Sequence, residues 1–266
     1  MSTNMAKSNQ YDNEDTVKQK TLQYAARLGD DSLILGHRLS EWTSNGPFLE
    51  EDIAMGNVAL DYVGRARMFY TYAAELAGNG KTEDDFAYLR DERQFQNYLL
   101  LELPRGDFAF TIVRQLFVDV YNDYFLTELK NSNDPEIAAI ATKSHKETRY
   151  HLRRTRDWTL RLGIGTDESK AKMTKALNDI WGYTHELFEP DALEIELIEL
   201  GVAVDPRLFK EKWLHDVQTI IHEAELEMPD ADWAVRGGRN GFHTEHLSML
   251  LTVMQSVHRA HPGASW

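Results

Sequence analysis

The chain has 266 residues, 42% of them hydrophobic, with a formal charge of −14 and a pI near 5.1. That length and apolar content support a full buried core, and the acidic balance argues against a phosphate-backbone binder, which presents a basic stripe to displace counterions. Cysteine does not occur, which excludes disulfides, thiolate zinc and Fe–S sites and cysteine nucleophiles, leaving carboxylates and the ten histidines as metal ligands.

The first twenty residues, MSTNMAKSNQYDNEDTVKQK, are polar and lack the apolar region of a signal peptide. They predict a flexible arm over 1–20 ahead of one helical domain over 21–266. No later run is long and apolar enough to span a bilayer. The expectation is a cytoplasmic chain with neither nucleic-acid nor membrane partners.

Helix-period patterns dominate the rest of the chain, so the predicted fold class is all-α. A first core helix lies within Thr21 to Thr43 and contains LGDDSLILGHRLSEW. From Glu50 to Ala77, Met55, Val58, Tyr62, Ala66, Phe69, Ala73 and Leu76 form one apolar stripe, which Gly78, Asn79 and Gly80 stop. A third helix spans Asp107 to Lys130, with an acidic N-cap candidate. The fourth opens at Asp134-Pro135, where proline's missing N–H costs nothing, and runs to Gly163. The connection between the second and third, GKTEDDFAYLRDERQFQNYLLLELPRG, is long enough to cross the bundle, and one such crossover is the ferritin-like arrangement. Further helices are predicted in DESKAKMTKALNDIWGYTHELF, from Leu208 to Leu226, and from about His243 to Ala260.

Ferritin-like di-iron proteins place a Glu on each of two helices and a Glu-x-x-His pair on each of the other two, the spacing putting both ligands on one inward face. Here the second helix has Tyr62 and Arg65 at that spacing, and the fourth has Thr148 and His151. Three of the four positions lack a usable ligand, and a guanidinium repels a cation. His151, the one good ligand left, reads first as a satisfied core histidine. Arg65 has two readings: its stem lies along the core with the head in water, or it forms a replacement ion pair with Asp119 on the third helix. Neither HEAELEMPD from His222 nor HTEHL from His243 is His-Glu-x-x-His; the first reads as a solvated acidic helix face, and His243 and His246 with Glu245 read as capping or lining a helix start.

The stretches LGDDSLILGHRLSEW, LRDERQFQN, KETRYHLRR, GVAVDPR and GFHTEHL, in this order and spacing, resemble the C subunits of bacterial phenylacetyl-CoA ring 1,2-epoxidases over about Leu28 to Trp266. The resemblance implies a non-catalytic, ferritin-like structural subunit without a cofactor of its own. Its partner would be a catalytic A subunit that holds the di-iron centre. A small B subunit and an NADPH-dependent reductase with flavin and an Fe–S centre complete the complex, whose substrate is phenylacetyl-CoA; the isolated chain could form a homodimer. The resemblance also suggests substrate or CoA contacts at Gln94, Phe95, Gln96 and Asn97, and at Ile195, Glu196 and Leu197. Two readings from other classes stand beside it. One is a self-sufficient metalloenzyme using His151 with Asp119, Asp123, His145 or Glu147; the other is a helical module that binds CoA thioesters.

Overall fold

The computed structural model describes residues 2–230 and 232–264, with side chains described from residue 15 onward. Ten α-helices and no strand occur among the described residues. Four long ones make the bundle: α1 (Ser2–Ser40), α2 (Leu49–Ala77), α5 (Phe108–Leu129) and α6 (Pro135–Gly163). The connection from α2 to α5 holds α3 (Glu83–Tyr88), a 3-10 turn (Glu92–Gln94) and α4 (Leu99–Glu102). This is the ferritin-like bundle with its long crossover. The arm expected over 1–20 falls largely on residues whose side chains lie outside the described ones.

Local chemistry sets the helix ends. Asp107 accepts from Phe110 N at 2.8 Å, and Asp134 accepts from Glu136 N and Ile137 N at 3.1 and 3.0 Å, ahead of Pro135. Gly78 closes α2 with φ of 61°, which costs a residue without Cβ nothing. α1 and α2 run antiparallel at close range because two glycines permit it. A Cβ on Gly29 would lie 2.4 Å from the Tyr70 ring, and one on Gly36 would lie 3.2 Å from Ala59 O.

The remaining helices are α7 (Asp167–Ile180), α8 (Ala192–Glu199), α9 (Lys210–Glu223) and α10 (Glu245–Ala260). α7 and α9 cover the α5–α6 pair and extend the main core, where Trp213 donates to Phe117 O at 3.0 Å. α10 lays Leu247, Leu250 and Leu251 on a second apolar cluster with Tyr70, Phe86 and Phe95. Each such buried side chain contributes about 1.5–3 kcal/mol. Three of the C-terminal helices differ from the pattern in the sequence. α7 stops at Ile180 because the chain turns tightly at Gly182, where a Cβ would meet the Trp233 ring at 2.0 Å. α9 starts at Lys210, after a 3-10 turn that Pro206 opens. α10 starts at Glu245 because His243 is held elsewhere.

Buried polar contacts hold the crossover in place. On α1, Asp30 accepts from Tyr70 OH at 2.6 Å and Gln96 N at 2.8 Å and pairs with Arg90. Asp31 accepts from Tyr98 N at 3.0 Å and from both terminal nitrogens of Arg239 at 3.0 and 2.8 Å. Glu186 accepts from Leu99 N, Gly237 N and Gly238 N at 2.8–2.9 Å. Glu102 accepts from Asn97 Nδ2 at 2.9 Å and Thr244 N at 2.6 Å, and faces His243 Nδ1 at 2.7 Å. The other His243 nitrogen faces Phe95 O at 2.8 Å. Both ring nitrogens thus point at acceptors, which suits the doubly protonated imidazolium.

Burial alone would lower the His243 pKa, but the Glu102 carboxylate and the Phe95 carbonyl outweigh it and raise the value above 6.5. The folded chain therefore holds this proton to higher pH than the unfolded chain. The stabilisation is complete below the unfolded value and is lost as pH rises through the folded one. His243→Gln should cost about 3–5 kcal/mol at about pH 6. The penalty should shrink by about pH 9, as read by urea unfolding at both values; an equal loss at both would show that the folded ring does not release its proton between them.

Candidate functional site

Tyr62 and Arg65 on α2 and Thr148 and His151 on α6 are all buried on inward faces that pack with α5. Tyr62 is 2% exposed and donates to Asp119 Oδ1 at 3.2 Å, and it accepts from Asn122 Nδ2 at 3.2 Å. Thr155, one helical turn beyond His151 on α6, donates to Asp119 Oδ2 at 2.7 Å. Asp119 is fully buried, and burial pushes its pKa above the ordinary value of 3.8, although the facing His151 and two hydroxyl donors pull it down. Burial also holds the Tyr62 hydroxyl far above its usual range, so it stays a donor.

Arg65 is 4% exposed. Its Nη2 donates to Thr148 Oγ1 at 2.9 Å and Ser144 O at 3.4 Å, and its Cζ lies 4.8 Å from the Tyr62 ring centroid. Neither expectation for Arg65 holds. The side chain does not reach water, and it does not pair with Asp119. Arg65 faces α6 rather than α5, and Asp119 is already occupied by Tyr62 and Thr155. His151 is 1% exposed, stacks on Tyr62 at 5.5 Å, and sets Nε2 2.9 Å from Asp61 Oδ2; its Nδ1 has no partner.

The other ligands considered for a self-sufficient metal site are dispersed. His145 Nε2 lies 3.0 Å from Asp123 at the partly exposed edge of the α5–α6 pair, where Thr127 and Lys130 also contact its ring. Glu147 is partly exposed, and burial of its inner oxygen raises its pKa. Among the described residues no three His, Asp or Glu side chains are arranged to hold a metal ion. The donor set itself is wrong: the buried carboxylate is filled by hydroxyl protons, and a guanidinium occupies the neighbouring position. These residues do not fit a di-iron centre.

The positions suggested for CoA contact divide by exposure. Phe95, Asn97 and Leu197 are each 0% exposed and meet no solvent, which corrects their assignment as direct contacts. Asn97 donates to Tyr98 O and Glu102, and Gln96 is held between Arg27 Nε at 2.9 Å and Arg239 O at 3.0 Å. Gln94, Ile195 and Glu196 reach the surface, where Gln94 accepts from Asp91 N within its 3-10 turn and Glu196 pairs with Lys20. Sequence reasoning missed the enclosed carboxylates Asp30, Asp31, Glu102 and Glu186 and the half-buried Asp61 beside His151. The available signal was two adjacent acids inside an apolar helical pattern, which need partners if the helix is enclosed.

A double-mutant cycle separates the contacts of Arg65. Arg65→Met combined with Thr148→Val should show a coupling of about 1.5–3 kcal/mol, the scale of a hydrogen bond to a charged group. The coupling of Arg65→Met with Asp119→Asn should be smaller. Urea unfolding of the variants measures both, and the reverse ranking would restore the Arg65–Asp119 pair.

Known proteins resemble this sequence over most of its length. The chain matches the family described as phenylacetic acid catabolic protein over residues 1–266. It is also 49% identical over 243 residues to the C subunit of 1,2-phenylacetyl-CoA epoxidase from Escherichia coli (strain K12), covering 91% of this chain and 98% of the relative. The match spans both the bundle and the C-terminal helices, so the chain belongs to the phenylacetic acid catabolic protein family.

Proposed function

We propose that this chain is the structural, non-catalytic subunit of a phenylacetyl-CoA 1,2-epoxidase complex in aerobic phenylacetate catabolism. On this reading it is a cytoplasmic, one-domain protein that pairs with and stabilises the di-iron catalytic subunit. A small bridging subunit and a flavin and Fe–S reductase complete the assembly. The observation that carries the proposal is the Arg65–Thr148 contact, which occupies inward positions of α2 and α6 where a catalytic relative needs ligands. The similarity to an epoxidase C subunit supports the complex and its substrate. Among the described residues no helix is long and apolar enough to cross a membrane, which is consistent with the proposed location.

The outer face of α2 supports pairing. Leu49, Ile53 and Leu60 are 71%, 55% and 68% exposed. With Gly56 and Gly64 they fall on one side of the helix at three- and four-residue steps. A Cβ on either glycine would meet nothing within 4 Å, so a neighbouring helix could approach the backbone closely. A contiguous apolar ridge of this kind is more typical of an interface than of a solvated face.

Two measurements test the proposal. In a complex reconstituted with a di-iron A subunit, iron should reside in that subunit, and stoichiometric iron in this chain's bundle would sink the structural role. The double variant Ile53→Glu, Leu60→Glu should keep its stability within about 1 kcal/mol, as surface substitutions do. It should no longer copurify with the A subunit; full retention would move the pairing face elsewhere.

A further inference from the structure

Three Asn-Gly pairs occur in the sequence, at Asn45-Gly46, Asn79-Gly80 and Asn240-Gly241. An asparagine followed by glycine can react with its own backbone, because no Cβ hinders the next amide nitrogen as it approaches the side-chain carbonyl. That nitrogen loses its proton and bonds to Cγ, the bond from Cγ to the side-chain nitrogen breaks, and ammonia leaves a succinimide. Water then opens the ring at either carbonyl, giving aspartate or isoaspartate. The reaction needs a free glycine N–H, a side chain turned back over it, and room for the ring. All three pairs have the sequence for it, and the fold decides which has the geometry.

Two of the pairs are tied down. Gly46 N donates to Asp52 Oδ2 at 3.1 Å, and Asn45 Nδ2 donates to Glu41 O and Thr43 O, both at 3.2 Å. Gly241 is buried, its N donates to Gly238 O at 3.0 Å, and a Cβ built on it would lie 2.4 Å from Arg93 O. In both places the attacking nitrogen would first have to break a native hydrogen bond.

Asn79 and Gly80 follow the Gly78 that ends α2, and both are exposed. Among the described residues the Gly80 N–H has no hydrogen-bond partner, and a Cβ on Gly80 would meet nothing within 4 Å. The Asn79 side chain is already folded back along the chain, because its Oδ1 accepts from Lys81 N at 3.3 Å and so arches over the intervening amide. The same N–H faces the oxygen on which negative charge collects during the attack, the placement that stabilises an oxyanion.

We propose that Asn79 is a site of spontaneous covalent modification, converting through a succinimide with Gly80 to aspartate and isoaspartate, while the fold protects Asn45 and Asn240. Either product adds a negative charge just past the C-terminus of α2, where the helix end is already negative. Isoaspartate also routes the backbone through the former side chain. That lengthens by one atom the link from α2 to the capping box of Thr82 and Asp85 that opens α3. The site does not depend on the assembly reading.

Incubation of the full chain in mildly alkaline buffer, followed by peptide mass mapping, tests the site. A parallel incubation in guanidinium chloride supplies the reference, since the fold then restrains none of the three pairs. In the folded chain Asn79 should convert at least about tenfold faster than Asn45 or Asn240, about 1.4 kcal/mol in activation free energy. In the unfolded chain the three rates should converge. Asn79→Gln, one methylene too long to close the same ring, should remove the fast conversion and leave the circular dichroism unchanged. Equal rates at the three pairs in the folded chain would overturn the proposal. So would an Asn79 that stays intact in the folded chain over the time in which the unfolded chain converts.

Discussion

Two adjacent carboxylates in the C-terminal half of α1, Asp30 and Asp31, set where the crossover lies, and most of the structure outside the bundle depends on that placement. Side by side on a helix they diverge, so each reaches different donors. Asp30 takes Tyr70 from α2, Arg90 from the turn after α3, and the Gln96 amide. Asp31 takes the Tyr98 amide and Arg239 from the segment before α10. A crossover that could slide along α1 by a residue would leave these acids buried without donors. Breaking such a contact costs about 3–5 kcal/mol, even though the intact ion pair adds little over a well-packed apolar substitute. Their main effect is therefore on register rather than on net stability.

The same constraint explains why the stretches that resemble the epoxidase C subunits are scattered along the chain yet travel together. LGDDSL supplies the two acids, LRDERQFQN supplies Arg90 and the Gln96 amide, and GFHTEHL supplies His243 for Glu102. These are parts of one buried polar assembly that joins α1, the crossover and α10. Gln96 and Asn97 belong to it: their side chains are spent on Arg27, Arg239 and Glu102, and a substrate would have to displace internal hydrogen bonds to use them.

Inside the bundle, α2, α5 and α6 are joined by a hydrogen-bonded plug that leaves no room for a metal centre's chemistry. Ligands to a cation need lone pairs directed at one point. Here the lone pairs of Asp119 receive protons from Tyr62 and Thr155, and the hydroxyl of Thr148 receives one from Arg65. The plug joins α2 to α5 through Tyr62 and to α6 through Arg65, which fixes the three helices relative to one another. Its cost is an incompletely partnered guanidinium, which borders a small cavity between α1, α2 and α5.

Much of the fold was legible in the sequence because its determinants are local. The 3.6-residue period of α2, the Asp107 and Asp134 caps, Pro135 at the first helical position and Gly78 at the end of α2 act within a turn of the residues that carry them. That Tyr62, Arg65 and Thr148 lie on inward helix faces was also readable, because i, i+3 spacing fixes which side chains share a helix face. What the sequence could not determine was the partner of each inward charge. Arg65 and Asp119 are both buried on neighbouring helices, and spacing alone allows them to meet. Only the rotation of α2 against α5 and α6 turns the guanidinium toward Thr148 and leaves Asp119 to two hydroxyls. Likewise, exposure of Gln94 and burial of Phe95 and Asn97 follow from where the crossover packs on α1, a consequence of contacts between residues more than sixty positions apart. Local backbone and spacing rules reach along one helix; the choice among possible partners is made by helix rotation and chain crossing, which exist only once the elements are packed.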